Sequence, residues 1–410
     1  MNRIRKAIRR SAAGLGAVAL MLLSAVAYFE HKIPGSFYVN EGQELVLQNL
    51  SAVRGGSVLD YERTSLANQQ SGAGQTVELK LFGIIPVKET HVSVVEQQNV
   101  TPGGTPFGIK LFTRGVIVID TSGIETSGGV AYPAKLAGIC KGDNILSIDG
   151  REISSNEEIA AIIQKSEGKA VPVTLQRDGK TIKTMLTPAL SCVDNQYKGG
   201  VWVRDSSAGI GTITYYDAES GNFAGLGHGI CDTDTGKIMP LNSGEVCAVH
   251  INSVQRGQAG SPGELRGSFT TNRSSGQLKL NNEAGIFGTI SYRPNDLDSV
   301  PVCLKQEVKT GKATILCTLD DSGIQEYEIN IDKIDLNPKT LTKNMMITVT
   351  DTRLLQKTGG IVQGMSGSPI LQDGGLVGAV THVFVNNPTK GYGIFAENMI
   401  NYSNQLSGDS

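Results

Sequence analysis

The residues best suited to chemistry lie near the C-terminus, in Gly364-Met365-Ser366-Gly367-Ser368-Pro369. A serine hydroxyl is a weak nucleophile and works only when a tight, exposed turn presents it to a neighbouring base. Glycines at 364 and 367 let the backbone turn sharply and approach a substrate closely. The hexapeptide alone is equally compatible with an ordinary turn, because the chain carries 50 glycines among its 410 residues. A base is therefore the next requirement. Of the five histidines, His31 abuts an apolar N-terminal run and His91 sits in a strand-like run far upstream. His228, His250 and His382 remain. His228 lies in Gly225-Leu226-Gly227-His228-Gly229, where small neighbours leave an imidazole open to a cleft, and it precedes Ser366 by 138 residues. His250, in the apolar run Cys247–Ile251, reads as packing. His382 follows Ala379-Val380-Thr381 and reads as packing or as the lining of a substrate pocket. An acid that orients the imidazole completes such a set. Asp351, at the end of Ile347–Asp351, is one candidate; Asp232, Asp234, Glu245, Glu283 and Asp296 are the others.

These residues need elements to position them. The length predicts two to three domains. Abundant glycine with recurrent Val, Ile and Thr predicts a mainly β chain with many turns. A formal net charge of −2 gives no electrostatic reason to expect nucleic acid. No His-Glu-x-x-His occurs, and neither a metal nor an organic cofactor is expected. Arg3, Arg5, Lys6, Arg9 and Arg10 precede 18 uncharged residues, Ala12 to Phe29. This pattern predicts a signal anchor over 1–30, with the chain beyond it exported. Ala25-Val26-Ala27 also suits cleavage as a signal peptide, and both readings place the rest outside the cytoplasm. Six cysteines are then free to pair, but their spacings set no pairing.

Residues 31–97 read as a small β-rich region with an exposed loop over 51–75. Residues 98–188 order as strand, short helix and turn, strand, helix, hairpin. Asp149-Gly150 and Asp178-Gly179 mark the tight turns, and Ser155 or Asn156 caps the helix that runs to Lys165. With Lys135–Asp143, this order resembles a bacterial PDZ domain. Phe107-Gly108-Ile109 resembles the loop that grips a peptide carboxylate, and the resemblance implies strand addition beside it. A PDZ fold serving only as a spacer is the alternative. Residues 189–410 alternate short strands with turns, which suits a double β-barrel.

The serine hexapeptide is similar to that of chymotrypsin-like serine peptidases, and a longer resemblance is more specific. Val349–Asp351, Thr358–Ile370, Gly378–Asn386 and Gly391–Ile394 resemble the stage IV sporulation protein B peptidase family of endospore-forming bacteria. So do Trp202–Thr212, the Gly-His-Gly turn at 228, and the order anchor, small β region, PDZ, peptidase. The resemblance implies a trypsin-like serine endopeptidase with His228, Asp351 and Ser366 as triad and the amides of Gly364 and Ser366 as oxyanion donors. It further implies self-cleavage near the N-terminus, with residues 51–75 as the exposed site. A second implied substrate is a membrane-associated regulator of an intramembrane metallopeptidase, which would link the chain to sigma-factor activation between forespore and mother cell. The alternatives are a non-catalytic tethered PDZ scaffold and a general envelope quality-control protease.

Overall fold

The computed structural model describes residues 2–47, 59–60, 70–270, 274–292 and 295–407. Helix α1 (Asn2–Lys32) contains a stretch, Ala12–Lys32, with mean hydropathy 2.0, long and apolar enough to cross a membrane. The chain then forms a four-stranded sheet from β1 (Ser36–Asn40), β2 (Leu59–Asp60), β3 (Gly74–Leu81) and β4 (Ile85–Val95), ordered β1-β4-β3-β2. Strands β3 and β4 bury alternate residues, including Val77, Leu79, Val92 and Val94, as their period of two requires. Much of the 51–75 segment lies outside the described residues, while Leu59–Asp60 and Gly74–Gln75 are strand.

Strands β5 (Asn99–Pro102) and β6 (Pro106–Thr121) follow. The chain next builds β7 (Ile124–Thr126), β8 (Gly129–Ala131), α2 (Pro133–Leu136), β9 (Asn144–Ile148), β10 (Arg151–Glu152) and α3 (Asn156–Lys165). It continues with β11 (Val171–Arg177), β12 (Lys180–Leu186), β13 (Ala189–Leu190) and β14 (Tyr197–Lys198). Helix α3 starts at a complete capping box between Ser155 and Glu158 and buries Ile159 and Ile163. Asp149, Gly150, Asp178 and Gly179 all take positive φ, the conformation of two-residue hairpin turns. Arg177 holds buried Asp143 with both Nε and Nη2, tying the second hairpin to the α2–β9 turn. One apolar cluster, from Val116 and Val118 to Leu186, fills this module.

Strand β15 (Val201–Tyr216) then runs antiparallel to β6 from Val201↔Thr121 to Thr212↔Pro106. Strands β16 (Asn222–Gly225), β17 (Leu241–Gln255), β18 (Glu264–Phe269), β19 (Gly276–Asn282), β20 (Gly285–Ile290) and β21 (Val300–Pro301) complete the unit. Pairings β6-β17-β19-β20-β16-β15 return to β6 and close a first barrel. Phe107, Ile213, Phe223, Val246 and Ile286 are in its core.

Two expectations change here. The PDZ module does not stand apart over 98–188, because β5 and the first half of β6 pair with β15, β17 and β21 of the barrel. Nor is Phe107-Gly108-Ile109 a carboxylate-binding loop. It lies inside β6, paired with Gly209–Gly211 on one side and Val246–Ala248 on the other, and Phe107 and Ile109 are buried. A strand with both edges occupied has no free N–H or C=O groups to offer a peptide.

A second closed barrel contains β22 (Gly311–Thr318), β23 (Ile324–Ile334), β24 (Met345–Val349), β25 (Pro369–Gln372), β26 (Gly375–Phe384) and β27 (Asn387–Phe395), in the order β22-β23-β24-β27-β26-β25. Helix α4 (Thr352–Thr358) leads from β24 toward Ser366, and α5 (Ala396–Ser407) ends the described chain. The fold is mainly β, with an N-terminal apolar helix, a PDZ domain and a trypsin-like pair of barrels.

Candidate active site

Ser366 sits on the turn between α4 and β25. Gly364 and Gly367 on either side take φ of 95° and 93°, and a methyl at Gly367 would lie 2.1 Å from the Thr212 carbonyl oxygen. Glycine is required there for both reasons. Met365 points inward and is fully buried, which leaves Ser366 facing the cleft. Strand β15 fixes this turn from below. Thr212 Oγ1 donates to Gly364 O at 2.8 Å, Thr212 N donates to Ser366 O at 3.0 Å, and Thr214 Oγ1 donates to Gly367 O at 2.8 Å. Gly367 N donates to Val380 O, and Leu265 N donates to Gln363 O, both at 2.8 Å. Among the hydrogen bonds of the described residues, none uses the amide of Gly364 or Ser366. These two donors are therefore available to an oxyanion. Sequence reasoning missed Thr212 and Thr214. Their spacing of two on a strand, both polar and both buried, was the signal that could have found them.

His228 follows β16 on a turn in which Leu226 and Gly227 both take positive φ. Its Nδ1 lies 3.0 Å from Gly229 O. A carbonyl only accepts, so Nδ1 carries the proton and Nε2 keeps the lone pair that a general base needs. The ring packs on that of His382, with centroids 4.8 Å apart. Burial lowers the His228 pKa from the ordinary value, against a smaller upward effect of the Gly229 carbonyl. His382 is driven down to about 4, first by burial and then by the charges of His228 and Lys343. Both imidazoles are neutral at pH 7. His382 Nε2 is 3.4 Å from Thr342 Oγ1, so the sequence's choice of packing or pocket lining resolves to a residue that does both.

Ser366, His228, His382, Gly364 and Glu283 line one cleft of about 760 Å³ between the barrels. Ser366 Oγ donates to Thr381 O at 2.9 Å, so the hydroxyl is held on the cleft wall by a backbone carbonyl. The structure brings Ser366 and His228 to the same cleft and leaves Asp351 out of it. Asp351 caps α4, accepting from the amides of Arg353 and Leu354, and also accepts from Glu328 N at 3.3 Å. Arg353 Nη2 donates to it at 2.7 Å. The Arg353 guanidinium and these amides hold its carboxyl down to about 2, against the upward effect of burial. None of these bonds reaches His228, so Asp351 has the work of a helix cap in this structure. His250 is exposed rather than packed; it lies 3.5 Å from exposed Asp321 and does not line the cleft. All six cysteines are unpaired thiols.

Fold and site together define a chymotrypsin-like serine peptidase with a PDZ domain. The chain belongs to the SpoIVB peptidase S55 family, which matches residues 195–400, and residues 126–177 match the PDZ domain family. Among curated proteins it is similar to the zinc metalloprotease Rip1 of Mycobacterium tuberculosis, 44% identical over 52 residues. That match covers 13% of this chain and 13% of Rip1, so the chain spans a small part of the length of the curated relatives it matches. Among solved structures it is similar to the active form of the Rv3671c protease of M. tuberculosis, at 14% identity, covering 48% of this chain and 72% of that one, with a TM-score of 0.28. The HtrA-type protease AlgW with a decapeptide is 10% identical over 74% of this chain and 65% of its own, with a TM-score of 0.30.

Proposed function

We propose that this chain is an extracytoplasmic, membrane-anchored serine endopeptidase of sporulation. It cuts its own N-terminal region and a membrane-associated regulator of an intramembrane metallopeptidase, in the space between forespore and mother cell. Ser366 leaves Thr381 O when substrate enters, gives its proton to His228 Nε2 and attacks the scissile carbonyl. The amides of Gly364 and Ser366 receive the oxyanion; its collapse breaks the C–N bond as His228 gives its proton to the departing amine, and a water deprotonated by His228 then releases the acyl group and returns the proton to Ser366. The observation that carries this reading is one cleft holding the serine, a neutral imidazole with the needed tautomer, and two unused amides beside the serine. Export rests on α1 and its basic flank. The test is N-terminal sequencing of the purified chain and of its Ser366→Ala counterpart. The expected result is a trimmed N-terminus only in the chain with the serine. Identical N-termini would remove self-cleavage, and failure of both to cut any added peptide would remove the peptidase.

A further inference from the structure

We propose that the residue whose carbonyl Ser366 attacks must be small and uncharged, of the size of Ala or Val, and that Ile361 and Val383 set this limit. The proposal rests on the peptidase reading above and names its substrate class. Two backbone segments flank the serine. One is 361–364, which leads into the nucleophile turn. The other is 380–383 of β26, where Thr381 O accepts from Ser366 Oγ at 2.9 Å and Val380 O accepts from Gly367 N at 2.8 Å. A scissile carbonyl seated on the amides of Gly364 and Ser366 sends the side chain of its own residue between these two segments. That slot therefore selects the residue before the cut.

The slot is shallow. Gly391 of β27, paired with Val383, forms its floor. A methyl at Gly391 would lie 2.6 Å from Ile361 Cδ1 and 2.7 Å from His382 O. One atom from each wall thus crowds a single point, and no carbon passes between them. Ile361 is fixed in this position. It is buried, its N–H donates to Pro388 O at 2.8 Å, and a methyl at neighbouring Gly360 would lie 2.2 Å from that same oxygen. Val383 is half-buried and lines the cleft with Ile361, Val362 and Thr381. The slot also lacks charge. Among the described residues lining the cleft, none is Asp, Lys or Arg. Glu283 sits apart on the β19–β20 turn of the first barrel, where the Tyr402 hydroxyl donates to it at 3.3 Å. The Thr381 hydroxyl is already committed to Thr342 O at 2.8 Å. An Arg or Lys side chain entering here would lose its water without gaining a counter-charge. A Leu or Phe side chain would have to displace Ile361.

The experiment incubates the full-length chain with a library of peptides prepared from a bacterial proteome and reads the new ends by mass spectrometry, with Ser366→Ala as the blank. Expected are cuts after Ala and Val at least about 10-fold more often, per bond present, than after Phe, Arg or Lys. Ile361→Ala and Val383→Gly should each raise cutting after Leu and Phe by about 10- to 100-fold, the discrimination that a methylene or two provides in an apolar pocket. A wild-type preference for Phe, Arg or Lys overturns the proposal. So does an unchanged preference in folded I361A and V383G; where I361A has lost its thermal transition, V383G decides alone. New ends that are the same in wild type and S366A would instead remove the peptidase reading itself.

Discussion

At the scale of single residues, the site depends on neutral imidazoles and on a pinned turn. Burial holds the His228 and His382 pKa values below the ordinary 6.5, His382 at about 4. A lowered imidazole pKa keeps the base unprotonated into mildly acidic solution. The acid limb of kcat/KM, which reports the free enzyme, is expected below pH 6.5. A pH–rate profile checks this, and a limb above 6.5 would show that the two rings are not shielded. Thr212 offers a second reading. Thr212→Val keeps the shape of the side chain and removes the donor that fixes Gly364 O. The expected loss is about 10-fold in kcat with KM unchanged, on the order of a fraction of what a direct oxyanion donor is worth. Thr212→Ser, which keeps the hydroxyl, should recover it.

At the scale of elements, α4 is a short helix that hangs from its cap. Removing the carboxylate in Asp351→Ala should cost about 1–2 kcal/mol, read as a lowered denaturation midpoint. The pH dependence has a definite sign. The folded pKa of Asp351, about 2, lies below the ordinary value near 3.9, so its contribution is complete above roughly pH 4. It is lost as pH falls toward 2, and the D351A chain should lack that part of the acid destabilisation. Strand β15 has the larger role. Its first residues, Val201 and Val203, pack on the PDZ core, and its last, Thr212 and Thr214, hold the serine turn. One uninterrupted strand thus joins the PDZ module to the nucleophile.

At the scale of the whole molecule, the PDZ module is an insertion between two neighbouring strands of the first barrel, β6 and β15. Its sheet and core draw on residues beyond 188: Tyr197, Val201 and Val203 cover the apolar cluster, and Val201–Arg204 pair with Ile117–Thr121. A fragment of residues 98–188 is therefore expected to be poorly folded, and one extended to 205 to be cooperative and more stable. Circular dichroism melts of the two fragments test this, and equal midpoints would mean that β15 adds nothing to the module. The N-terminal region is likewise fastened to segments flanking the second barrel's strands, through Lys32 to Asp335, just past β23, at 2.8 Å and Gln306 Nε2, just before β22, to Tyr38 O at 2.6 Å.

The residues themselves were enough for whatever is encoded locally. Gly364 to Pro369 marked a tight turn around Ser366, because positive φ and close approach favour glycine at 364 and 367. Ser155 or Asn156 marked the start of α3, which the fold settles as Ser155; Asp149-Gly150 and Asp178-Gly179 marked hairpins, and alternation marked the strands. The membrane-length helix was legible for the same reason, being a matter of composition along one segment. Contacts between distant segments were decided only by the folded chain. Phe107–Ile109 looks like a binding loop until β15 and β17 take both its edges. Asp351 looks like a triad acid until Arg353 and the α4 amides claim it. Ser366 and His228, 138 residues apart, reach one cleft only because β15 holds the serine turn and pairs with β16. Pairing partners and register follow from hydrogen bonds and packing between strands far apart in the chain, which no local pattern of residues specifies.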